Sequence, residues 1–72
     1  MEFELRHLDS GKLIYRYTSE GAALAFVRDV VRVGGRDQAA KFSLDRRDDA
    51  GQALTVAMGA DLVKRAIEDR SE

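Results

Sequence analysis

The sequence predicts an α+β fold of order ββαββα, a four-stranded antiparallel sheet with two helices packed on one face. Three observations carry this expectation. Two stretches, 3–17 and 42–58, alternate apolar and polar residues about a short loop ending in glycine, as β-hairpins do. Each is followed by a segment whose apolar residues recur at helical spacing. The two halves also resemble each other: "FELR…DSG…LIY" compares with "FSLD…DAG…LTV", with a one-residue shift between strand and loop that suggests an internal duplication.

In the first hairpin, Phe3, Leu5 and His7 share one phase, and Leu13, Tyr15 and Tyr17 share another. A two-residue loop at Ser10-Gly11 would pair Leu5 with Arg16 and mix the faces. A three-residue loop, Asp9-Ser10-Gly11, pairs Phe3 with Tyr17, Leu5 with Tyr15 and His7 with Leu13. It leaves only Leu8 and Ile14 as apolar residues on the outer face. Glu4 then stands opposite Arg16 on that outer face, an expected cross-strand ion pair.

Thr18 is the expected N-cap of the first helix, with Glu20 in its first turn. Its buried stripe is Ala23, Val27, Val30 and Val31, flanked by Leu24 and Phe26, and Arg28, Asp29 and Arg32 lie opposite. Gly34-Gly35 ends the helix. "RDQAA" is a short connection with room for one helical turn. In the second hairpin a loop of Asp49-Ala50-Gly51 pairs Phe42 with Met58 and Leu44 with Val56. Asp45 and Arg47 then face outward, while Arg46 points inward and reaches past Leu54 to water. "GADLVKRAIEDR" is the second helix, with Leu62, Val63, Ala66 and Ile67 buried and the last residues frayed.

Seventy-two residues make a single domain, 1–72, with hairpin–helix halves at roughly 1–35 and 39–72. Such a chain buries only about 60% of its unfolded surface, and it has no cysteine to reinforce the core. Dimerisation is the expected source of further buried area. Twelve basic residues against 13 acidic ones argue against a protein that coats nucleic acid. No apolar run approaches the ~20 residues of a membrane span, and "MEFELRHL" reads as a strand, not a signal peptide, so a soluble cytoplasmic protein is expected. Nine arginines against three lysines match the composition of a GC-rich bacterial coding sequence.

"SLDRRDDAGQAL", residues 43–54, looks most like chemistry. A calcium loop starting at Asp45 needs an acidic or amide residue two positions on, glycine sixth and glutamate twelfth. Arg47, Ala50 and Val56 stand there, so a hairpin turn is expected and no metal. His7 is the lone histidine and lacks the partners that catalysis or a metal would need. Gly34-Gly35 lies at a helix end, not ahead of a helix start, and Gly59 is isolated, so no phosphate loop and no cofactor are expected.

The leading expectation is a non-enzymatic module that binds protein, a second copy or another partner, with Leu8, Ile14, Phe26 and Val33 as candidate self-association residues. The alternative is a small regulator whose outer sheet face binds nucleic acid through Arg6, Arg16, Lys41 and Arg47. That face offers no aromatic residue for base stacking. An enzyme, limited to Asp, Glu, Arg and Tyr chemistry, ranks third.

Overall fold

The computed structural model describes residues 1–69. The elements are β1 (Glu2–His7), β2 (Leu13–Tyr17), α1 (Glu20–Gly34), α2 (Arg36–Ala39), β3 (Phe42–Arg47), β4 (Ala53–Met58) and α3 (Gly59–Glu68). The expected ββαββα order is present, with α2 as the helical turn in the connection. All four strands form one antiparallel sheet of order β2-β1-β3-β4. The expected fraying of the last residues falls mainly on 70–72, outside the described part.

Alternation along the central strands separates the two faces. Phe3, Leu5 and Leu44 point to the helices, where they meet Ala23, Leu24 and Val27 of α1 and Leu62, Val63 and Ala66 of α3 in one buried cluster. The duplication suggested by the sequence has a geometric counterpart here. The helices start at 20 and 59, and the buried helical residues 23, 24 and 27 recur at the same spacing as 62, 63 and 66. Leu5 and Leu44, separated by that same interval, are cross-strand partners. A pseudo-two-fold axis therefore passes through the Leu5–Leu44 pair, and the two hairpin–helix halves share one core.

Both hairpins depart from simple pairing at one point. Phe3 faces Tyr17 and Leu5 faces Tyr15 as expected, but Arg6, not His7, faces Leu13, so Ile14 is an extra residue on β2. The loop is closed by His7 and Lys12, whose backbone groups bond at 2.9 Å around residues 8–11. In the second hairpin Asp49-Ala50-Gly51 is the loop, closed by Asp48 and Gln52. Arg46 faces Leu54 and is exposed, in line with its expected reach to water. Beyond Thr55, however, Ala57 faces Leu44 and Met58 faces Ser43, in place of the expected Leu44–Val56 and Phe42–Met58 pairs. Val56 is the extra residue. Both bulges lie on edge strands, where added twist hinders pairing with other chains.

The helix ends correct three further expectations. Ser19, not Thr18, caps α1: its hydroxyl accepts from the backbone N–H of Ala22 at 3.2 Å. Arg28 does not stand in solvent opposite the core. Its Nη1 donates to the carbonyl oxygens of Ala66 and Asp69 and pairs with the Asp69 carboxylate at 3.2 Å. It therefore satisfies the open end of α3, where the dipole favours a cation. Ile67, expected in the buried stripe, is exposed beyond Ala66. Arg65 Nε donates to Glu20 at 2.7 Å and ties the last turn of α3 to the first turn of α1.

Replacing Ser19 by Ala is expected to cost about 1 kcal/mol of stability, while Thr18→Ala stays within about 0.5 kcal/mol. Urea denaturation of the two variants measures this, and equal losses would refute the capping assignment.

Candidate functional site

The sheet face away from the helices is built around a carboxylate. Glu4 lies at the middle of β1, flanked by Arg16 of β2 and Asp45 of β3, and its side chain is 1% exposed. Three guanidinium groups cover it. Arg47 spans both oxygens, with Nε to Oε2 at 3.2 Å and Nη2 to Oε1 at 3.4 Å. Arg6 Nη2 donates to Oε1 at 2.9 Å, and Arg16 Nε to Oε2 at 3.2 Å. Strand geometry explains the convergence. Arg16 is the direct cross-strand neighbour, Arg6 is two residues along the same strand, and Arg47 is diagonal, opposite Glu2.

Two of these arginines continue to the hairpin loops. Arg6 Nη1 donates to the carbonyl oxygen of Gly11 at 3.0 Å, and Arg47 Nη1 to that of Gly51 at 2.8 Å. Gly11 and Gly51 have φ of 71° and 83°, a conformation that glycine adopts without steric cost. One carboxylate is thus connected through two arginines to both loops.

The electrostatics follow from this arrangement. The Arg47 contact contributes most to holding the Glu4 carboxyl at about 2, well below its ordinary 4.5; burial opposes it, and Arg6 and Arg16 reinforce it. The same bond to Glu4 raises the pKa of Arg47. Asp45 lies opposite Glu4, an unfavourable like-charge pairing, and Arg6 Nε offsets it from 3.9 Å. Arg6 is thus the ion-pair partner of Asp45, whose charge also helps to raise the pKa of Arg47. Arg47 is directed to Glu4, and Lys41 stands outside the cluster, where its carbonyl accepts from the Leu8 N–H. Three of the four candidate nucleic-acid contacts therefore converge on one acid.

The carboxylates of the second hairpin are engaged by protein groups. Asp48 Oδ1 accepts from the backbone N–H groups of Ala50 and Gln52, which shapes the turn. Asp49 pairs with the N-terminal ammonium at 3.3 Å. His7 takes the expected helix-side phase and meets Phe42 edge-on, at the end of a ring series that continues through Phe26 and Tyr17 to Tyr15. Burial raises the pKa of Tyr17 within that series.

No family model, curated protein or solved structure matches this chain.

The four candidate self-association residues lie on three different segments. Leu8 and Ile14 are exposed about the first hairpin, Val33 is 85% exposed on the last turn of α1, and Phe26 is enclosed in the ring series. A groove of about 450 Å³ runs between α2 and α3, floored by Ala40, Val63 and Ile67 and edged by Arg36 and Lys64. The apolar exposure that sequence reasoning missed is on β4. Leu54 is 62% exposed and Met58 48%, on a sheet edge. The signal was present in "ALTVAM", the only charge-free strand of the four, but it gains meaning only once β4 is known to be an edge.

Because the folded pKa of Glu4 is lowered, its contribution to stability is present above the unfolded carboxyl pKa of about 4.5 and is lost as pH falls towards 2. Glu4→Gln is expected to cost about 2 kcal/mol at pH 7, a value that allows for the partly solvated guanidiniums. It should also flatten the stability profile between pH 4.5 and 2. Denaturation across that range measures both effects, and a variant with the parent's acid dependence would refute the assignment.

Proposed function

We propose that this chain is a non-enzymatic module that works by contact with protein, and that β4 is its working edge. The observation that carries this reading is an edge strand without a charged residue, with Ala53, Leu54, Thr55 and Met58 exposed along it. Edge strands commonly carry charges that keep other chains from pairing with their free backbone groups. The opposite edge, β2, carries Arg16, 58% exposed. On β4 the bulge at Val56 is the safeguard, and Ala53–Thr55 lies ahead of it as ordinary strand. A partner that adds a strand there gains backbone hydrogen bonds and covers Leu54, the usual way an extended segment joins a sheet.

Nucleic-acid binding through Arg6, Arg16, Lys41 and Arg47 draws less support from the geometry. Glu2, Glu4 and Asp45 occupy the same face and match the three clustered arginines in number.

A photoreactive residue in place of Leu54 is expected to give protein adducts in living cells, whereas one in place of Ile14, on the opposite edge, gives few or none. Equal labelling at the two positions, or none at 54, would refute the reading.

A further inference from the structure

We infer that the occupant of the β4 edge is a second copy of this chain, laid antiparallel so that two four-stranded sheets join into one of eight. This rests on the reading of β4 as the working edge and commits to the partner.

The choice of a second copy follows from charge. When a strand pairs with its own copy about a two-fold axis, the same residues lie near each other, and any charge on the strand is brought towards its like. Ala53–Met58 has no charge to oppose, so the penalty that limits self-pairing at most edges is absent. The β2 edge differs. There a copy would bring a second Arg16 close to the first, each already bonded to its own Glu4.

Exposure points the same way. Leu54 lies opposite Arg46 at the helix-side margin of the sheet, where no helix covers it, and is 62% exposed. Met58, carried by the bulge to the row of Arg6 and Ser43, is exposed near the other end of the strand. A copy alongside removes apolar surface from water on both faces of the joined sheet. A 72-residue chain without disulfides gains from this, since its own core buries a limited share of its surface.

Sedimentation equilibrium of the purified full chain, from low concentration up to about 1 mM, tests the inference. The parent and Ile14→Lys are expected to dimerise alike, and Leu54→Lys to dissociate at least about tenfold more readily. Thr55→Lys is the second variant. Position 55 is exposed beside Asp45, so a lysine there leaves the fold intact and still charges the edge. A parent monomeric throughout, edge variants that dimerise as tightly as the parent, or an Ile14→Lys as weak as Leu54→Lys would each overturn the inference. If the parent is monomeric while the photoreactive residue at 54 captures a different protein in cells, the second copy is excluded and the interaction edge stands. If neither occurs, both fail.

Discussion

A single buried carboxylate organises the open face of this sheet. Glu4 stands on a central strand, where a lone charge is costly to remove from water. The cost is met because three strands each supply an arginine, and because Arg47 engages both oxygens in the forked geometry suited to a carboxylate. The cover is a layer of side chains that still touch solvent, so the acid is enclosed by charge rather than by core. Through Arg6 and Arg47 the constraint reaches Gly11 and Gly51, and with them the conformation of both loops.

The helix side is organised differently. Its unit is the repeated hairpin–helix, and the Leu5–Leu44 pair places the pseudo-two-fold axis at the centre of the core. Neither half has a second apolar layer of its own, so the halves are complete only together. Arg28 at the end of α3 and Arg65 against Glu20 join the helices across that axis. The halves differ at their edges. β2 is held by Arg16 to the acid cluster, whereas β4 has no charge and exposes Leu54 and Met58. An approximate symmetry inside one chain thus ends in two unlike edges, and this difference singles out a working edge.

Much of the fold was legible in the sequence because its signals are local. Alternation located the strands, and the glycine-ended loops located the turns. The spacing of Ala23, Leu24 and Val27 placed α1 on the core. Three features were not legible for physical reasons. A bulge reverses the alternation beyond it without leaving a mark in the sequence: Leu54, Val56 and Met58 read as one phase, so "LTVAM" showed nothing to move Met58 away from Phe42 and onto the other face. Thr18 and Ser19 are both competent caps, and the turn leaving β2 decides between them. Strand order depends on the long-range pairing of β1 with β3. Without it Glu4 had Arg16 as its visible partner, and neither the convergence of Arg47 nor the edge position of β4 could be read.

The claim that Glu4 anchors the open face is tested most directly by titrating its carboxyl carbon by NMR in the folded chain. The arrangement predicts a midpoint near 2, with the Arg47 Nε–H signal protected until that carboxyl protonates. A midpoint near the ordinary glutamate value of about 4.5 would contradict it, because it would mean that the three guanidiniums do not hold the acid.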